Sequence, residues 1–154
     1  MDKCSFAMTS IKYLGYVISS VGIHVDPKKV QILKYWPIPQ KIHELRIFLG
    51  FENFYQWFIL GFSHIAWPLN ELTKGNRKKL FKWTSTQHQP FKQLRNKHCN
   101  ATILVFPDLH RHFEIDIDVS DYSLGAVITQ SGHPVVFHSK NFKDIVIRYS
   151  TYEK

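Results

Sequence analysis

The stretch His112–Gln130, HFEIDIDVSDYSLGAVITQ, decides the fold of the second half of this chain. Phe113, Ile115, Ile117 and Val119 alternate with His112, Glu114, Asp116 and Asp118, the period-two pattern of a half-buried β-strand. Three carboxylates therefore share one face, with i and i+2 neighbours about 6–7 Å apart. Like charges that close are costly unless a cation or metal compensates them. Asp121, in the following turn, adds a fourth acid. The pattern fits half of a metal site and equally a solvated strand face.

Outward from this strand the pattern continues. Leu124 to Gln130 reads as a second strand after the polar turn Ser120 to Ser123, and Ser131-Gly132-His133 turns the chain into a third, Pro134 to Lys140. Consecutive strands joined by short turns form an antiparallel meander. Strand signals begin at Ile103, so Asn100 to Pro107 is the expected boundary with a helical first half.

In that half, Asp26-Pro27 opens a helix, with Asp26 as N-cap and Pro27 in the first turn. Val30, Leu33 and Trp36 share its inner face, and Pro37 and Pro39 end it. A second helical pattern turns Ile42, Leu45, Phe48 and Leu49 inward and Glu44 and Arg46 outward. Gly50 marks a break or a close contact in it. Phe51, Phe54, Tyr55, Phe58 and Ile59 continue at helical spacing until Gly61, as core packing rather than a base-stacking platform. Ser63 to Leu72 is a further helix. Thr84 or Ser85 caps another through Lys97, with Phe91 and Leu94 inward and Lys92, Arg95 and Lys97 outward. Between these two lies the basic run Lys74-Gly75-Asn76-Arg77-Lys78-Lys79, a solvated loop able to contact phosphates. At the start, Lys3 to Ile23 reads as short strands and turns. Ile11 to Ile18 forms a strand in which Gly15 marks a bulge or a close backbone approach. At the other end, Tyr149 to Lys154 looks like a helix start capped by Ser150 or Thr151. The fold class is α+β.

With 154 residues, one domain is the default and two small ones fit. A hydrophobic share of 44% supplies a core and excludes a disordered chain. A net charge of +8 favours an anionic partner, most simply nucleic acid. Cys4 and Cys99 form no CxxC, and the adjacent pair His98-Cys99 is a poor zinc signature. With no long apolar run and no signal-peptide core in MDKCSFAMTS, a soluble intracellular protein is expected, cytoplasmic or nuclear, with no membrane partner.

An ordered series of motifs then carries a resemblance. Lys3-Cys4-Ser5-Phe6, Tyr13-Leu14-Gly15-Tyr16-Val17-Ile18-Ser19, Asp26-Pro27-Lys28-Lys29-Val30 and Trp36-Pro37-Ile38-Pro39 lead it. Leu45-Arg46-Ile47-Phe48-Leu49-Gly50-Phe51, Asn53-Phe54-Tyr55, Phe62-Ser63-His64-Ile65-Ala66, Pro107-Asp108, the Asp118 strand and Tyr149-Ser150-Thr151-Tyr152-Glu153-Lys154 follow. Collinear over essentially the whole chain, they resemble the reverse transcriptase and RNase H-like region of the Pol polyprotein of gypsy-type long-terminal-repeat retrotransposons and their retroviral relatives.

The resemblance implies the end of the polymerase palm at residues 1–25 and thumb and connection helices at 26–100. It makes 101–154 the beginning of an RNase H-like domain, an incomplete three-stranded antiparallel sheet after a helical thumb-like bundle. It places Leu14, Gly15 and Tyr16 at the hairpin that holds the primer end. It makes Arg46, Lys74, Arg77, Lys78 and Lys79 candidates for sugar–phosphate contacts with an RNA–DNA or DNA duplex, the template–primer. Asp118 corresponds to the first of four RNase H carboxylates around two Mg²⁺ ions. The family's second acid follows the Tyr-Glu-Lys string, and Glu153, two helical positions earlier, would face the opposite way. The palm's Asp-Asp pair would lie upstream, and no Asp-Asp occurs in this chain. Mg²⁺ serves the intact family, but no stable binding and no catalysis are expected of this chain alone, whose partners would include the remainder of the Pol polyprotein. Two departures stand out: Gln56-Trp57 where the family has two basic residues, and Asp118-Val119-Ser120 for Asp-Ala-Ser.

Two other functions fit the same residues, a host-retained non-catalytic nucleic-acid-binding or interaction module and a translated relic. In each case the sheet's apolar face and edge are expected to be uncovered, leaving the chain from about Thr102 aggregation-prone or loosely ordered.

Overall fold

The computed structural model describes residues 6–74, 81–121 and 123–142. Predicted features at Lys3–Ser5, Arg77, Lys78, Lys79 and Tyr149–Lys154 lie outside these. The described residues form an α+β fold of four α-helices and two three-stranded antiparallel sheets.

The first sheet is built from β1 (Ser10–Tyr13), β2 (Tyr16–Ser19) and β3 (Gly22–Val25) in that order. Leu14 and Gly15 connect the first two with φ of 48° and 86°. Positive φ at both central residues matches a primed hairpin turn to the twist of the strands. The run from Ile11 to Ile18 is therefore two strands and not one, because its β-branched residues flank a Leu-Gly pair that takes the turn.

Helix α1 (Pro27–Lys34) starts as expected, with the Asp26 carboxylate accepting from the Lys28 amide at 3.0 Å and Pro27 in the first turn. Helix α2 (Ile42–Phe54) passes through Gly50 without a break. Gly50 is exposed with nothing near its missing side chain, so it neither kinks nor packs and costs only helix propensity. The aromatic run after it does not continue the helix. A 3₁₀ turn (Gln56–Phe58) intervenes, and Gly61, left-handed at φ 69°, leads into helix α3 (Phe62–Thr73) rather than ending a long one. Helix α4 (Ser85–Cys99) is closed at its start by a capping box between Thr84 and Gln87.

Leu33, Leu45, Phe48, Leu69, Phe91 and Leu94 form the main core between the four helices, with the Phe48 and Phe91 rings 4.6 Å apart. Each side chain of this size gains about 1.5–3 kcal/mol on full burial. One polar pair is sealed beside this core. Glu52 of α2 and His98 of α4 are both fully buried, with Oε2 and Nδ1 3.1 Å apart. A second cluster, Val25, Tyr55, Phe58 and Leu104, joins the first sheet to the helices, with Phe137 packed against it.

The segment after α4 binds both sheets. Ile23 and Leu104 exchange backbone hydrogen bonds at 2.8 and 2.9 Å, and the next amide, Val105, donates to the Pro134 carbonyl at 3.0 Å. Gly22 makes the first contact possible, because a Cβ there would come 2.2 Å from the Leu104 carbonyl oxygen.

The second sheet is the expected meander of β4 (Glu114–Val119), β5 (Ser123–Gln130) and β6 (His133–Asn141). Its burial departs from the sequence pattern. Helix α3 packs against β5 and β6, leaving β4 as the outer strand. Ile115 and Ile117 are 60% and 63% exposed, so the strand is not half-buried. Alternation reports which side chains share a face; whether another layer covers that face depends on the neighbouring elements.

Candidate nucleic-acid interface

The Leu14–Gly15 turn projects from a stiff base. Leu14 is exposed, whereas the Gly15 carbonyl accepts from the Asp26 amide at 3.0 Å and from the Tyr55 hydroxyl at 3.3 Å. A Cβ on Gly15 would sit 2.5 Å from the Tyr55 oxygen, so this turn position requires glycine twice over. Tyr16 stacks on Phe54 and Phe58 with centroids at 5.2 and 5.7 Å, and its hydroxyl donates to the Phe54 carbonyl at 2.9 Å. Of the three hairpin residues predicted from sequence, Leu14 faces solvent and the other two anchor it.

The same packing shifts titrations. Burial, with smaller contributions from Tyr16 and Asp26, pushes the Tyr55 phenol up to about 12. Burial raises Tyr16 and the Cys99 thiol as well. The Lys28 amide, followed by the Lys12 ammonium 3.2 Å away, holds Asp26 below the usual carboxylate range.

Of the predicted basic residues, Arg46 and Lys74 meet at the C-terminal end of α3. Arg46 donates to the Thr73 carbonyl at 3.1 Å, and Lys74 pairs with Glu71 at 2.7 Å and lies 4.7 Å over the Trp67 ring. Arg77, Lys78 and Lys79 are outside the described residues. A second basic surface was not singled out from sequence. Lys34 of α1 and Arg95 of α4 line a groove of about 550 Å³ with Gln31, Asn96, Cys99 and Asn100. Arg95 is oriented by a hydrogen bond to the Trp36 carbonyl at 3.1 Å. The outward placement of Arg95 was legible; its convergence with Lys34 depends on how the helices pack.

Asp118 lies at the junction of the two halves. The ladder aligns Asp118 with Gly125 and Gly125 with Ser139, which puts all three positions on one face. Ser139 Oγ accepts from the Ser63 amide at 2.9 Å, so this is the face that α3 covers. A cleft of about 290 Å³ opens there between Asp118, Ser123 and Gly125 on the sheet and His64, Gln93 and Lys97 on α3 and α4. Glu114 and Asp116 share the Asp118 face but do not line the cleft. Among the described residues no group of three or more His, Cys, Asp or Glu side chains is placed to hold a metal. One carboxylate falls short of the donor set of a two-metal site, so a resident Mg²⁺ does not fit these residues. No helix among the described residues is long and apolar enough to cross a membrane.

Residues 83–154 match the RNase H-like domain found in reverse transcriptase. Over its full length the chain is 34% identical to the retrovirus-related Pol polyprotein from transposon 297 of Drosophila melanogaster. Over 99% of its length it is 32% identical to the Pol polyprotein from transposon gypsy of the same fly, and 32% to the transposon Tf2-3 polyprotein of Schizosaccharomyces pombe. The chain spans 14%, 16% and 12% of those relatives. Its fold is similar to a part of the foamy viral protease-reverse transcriptase solved with an RNA/DNA hybrid, at TM-score 0.84 and 20% identity, covering 98% of this chain and 21% of that one. A second foamy viral structure, with double-stranded DNA, gives TM-score 0.81 at 21% identity over 95% of this chain and 31% of that one.

Proposed function

We propose that this chain, a segment of the Pol polyprotein family of gypsy-type retrotransposons, grips the template–primer duplex of a reverse transcriptase–RNase H without itself carrying out catalysis. The observation behind this reading is the Leu14–Gly15 turn, exposed at its tip, locked on Tyr16 and Tyr55, and flanked by Lys29 of α1, whose Cε would lie 3.9 Å from a Cβ on Gly15. Backbone phosphates need fixed donors and cations rather than base-reading side chains, and a rigid turn beside a basic helix supplies them. The foamy viral relatives of this fold bind RNA/DNA hybrid and double-stranded DNA, the partner proposed here.

In this assignment Leu14, Gly15 and Tyr16 hold the primer end. Arg46, Lys74 and, through the basic run, Arg77, Lys78 and Lys79 contact sugar and phosphate, with Lys34 and Arg95 extending that surface. Asp118 is the position of the first RNase H carboxylate. The chain contains no adjacent aspartates, so polymerisation draws its metal-binding pair, and RNA cleavage the carboxylates other than Asp118, from the rest of the polyprotein.

Fluorescence anisotropy of the purified chain with a labelled hybrid tests this. Affinity is expected to fall with salt at a slope near −0.9 for each phosphate neutralised. The triple variant Lys28→Glu, Lys29→Glu, Lys34→Glu is expected to lose at least about tenfold. Absence of salt-dependent binding at low ionic strength would sink the proposal.

A further inference from the structure

The sealed pair Glu52–His98 is a poor source of stability. Both side chains are withdrawn from water, and one contact joins them, 3.1 Å between Oε2 and Nδ1. Glu52 Oε1 and His98 Nε2 have no hydrogen-bond partner among the described residues. Two apolar side chains would fill the same space and leave no polar atom unmatched. What an apolar pair cannot supply is direction. A carboxylate only accepts hydrogen bonds, so Nδ1 donates, and the imidazole is held in one orientation.

That orientation bears on Tyr55. Glu52 and Tyr55 stand three residues apart at the end of α2, on one side of the helix, and the Tyr55 amide donates to the Glu52 carbonyl at 3.0 Å. His98 meets both side chains. Its ring stands edge to face with the Tyr55 ring, centroids 4.9 Å apart and planes at 83°. The Tyr55 hydroxyl in turn donates to the Gly15 carbonyl of the hairpin turn. At 3.3 Å this bond is already longer than the usual O–H···O range, so a small rotation of the phenol ring loses it.

We propose that Glu52 and His98 are positioning residues for the Leu14–Gly15 turn: the pair fixes the Tyr55 ring, and the Tyr55 hydroxyl fixes the turn for the primer end. The proposal rests on the duplex-grip reading above and adds a buried control to it. Sealed from water, neither residue touches nucleic acid; both act through Tyr55.

Fluorescence anisotropy on the full chain compares two hybrids, one with a free primer end and one closed at both ends by loops. Glu52→Leu with His98→Leu keeps the core filled and removes the fixed ring. This double variant is expected to keep most of its urea midpoint and to bind the closed hybrid as before. On the open-ended hybrid it is expected to lose about fivefold, the weight of one hydrogen bond. The Asp26 amide, which donates to the Gly15 carbonyl, should exchange with solvent faster in it. Glu52→Gln keeps an acceptor for Nδ1 and should behave as the unaltered chain. A further measurement needs no variant. The open-ended hybrid should shift the NMR signals of the His98 ring nitrogens and the closed one should not, because coupling between two sites is reciprocal. Unchanged open-end affinity or unchanged Asp26 exchange in the double variant would overturn the positioning role and leave the duplex grip intact. So would a loss in Glu52→Gln as large as the double variant's, or His98 signals blind to the primer end. Failure to bind either hybrid would overturn both proposals.

Discussion

In the helices, Leu33, Leu45, Phe48, Leu69 and Leu94 are withdrawn completely from water; in β4, Ile115 and Ile117 keep 60% and 63% of their surface. Both regions are rich in apolar residues. The difference lies in layering. Each helix has neighbours on its apolar face, while β4 is the outer strand of a sheet whose helix contacts fall on β5 and β6. The buried core lies in one half, and the other offers an apolar row and a strand edge that no described residue pairs, both invitations to association.

The largest test of that contrast is a pair of truncations. Phe91→Ala is expected to cost about 3–5 kcal/mol, and Ile117→Ala to stay within about 0.5 kcal/mol, in urea titrations. Comparable losses would erase the distinction.

Alkaline pH probes the seam between the first sheet and the helices. Tyr55, with its pKa near 12, keeps its proton in the fold while the unfolded chain releases it near the ordinary value of 10.0. Stability is therefore expected to fall as pH rises from about 10 to about 12, by at most about 1.4 kcal/mol per unit. Tyr55→Phe should flatten this limb of the denaturation profile.

A smaller effect comes from the polar pair inside the helical half. Glu52→Leu leaves His98 without its partner and is expected to cost about 1–3 kcal/mol. The double variant Glu52→Leu, His98→Leu should recover most of that, since a buried polar pair often exchanges for apolar residues without loss. No recovery would show that the pair holds α2 against α4 by more than mutual satisfaction.

The smallest expected change in stability is informative for the opposite reason. Ile115→Thr with Ile117→Thr should leave the urea midpoint nearly unchanged while reducing self-association measured by light scattering. Protection of β4 amides equal to that of α4 in hydrogen exchange would contradict the picture of an open strand.

Much of this was legible in the residues. Asp26-Pro27, Thr84 with Gln87, and the inward positions of α2 to α4 follow from capping chemistry and helical period. The strand meander followed from alternation and short turns. The exposure of Ile115 and Ile117 did not, because period two describes a strand and not the layer above it. Gly15 and Gly61 were recognised as special positions, and the resemblance set Gly15 in a hairpin, but the role of Gly61 as a helix entry depends on a φ value that composition does not carry. The Asp118 cleft also escaped notice, since Lys97 and Asp118 are brought together by the docking of α3 on the sheet. Glu52 and His98 gave no signal beyond two polar residues on helical faces, and only packing makes them partners.

The backbone bridge between Ile23 and Leu104 has a consequence for the order in which the molecule assembles. As the ribosome releases the chain, β3 emerges 81 residues (104 − 23) before its partner. The helices can pack locally in the meantime, since contacts of low sequence separation form fastest. Within this stretch β3, unlike the Leu14–Gly15 turn, must wait for the segment after α4 before its outer edge is paired. The Leu14–Gly15 turn can set as soon as Phe54, Tyr55 and Phe58 are in place, whereas the edge of β3 is closed only by Leu104.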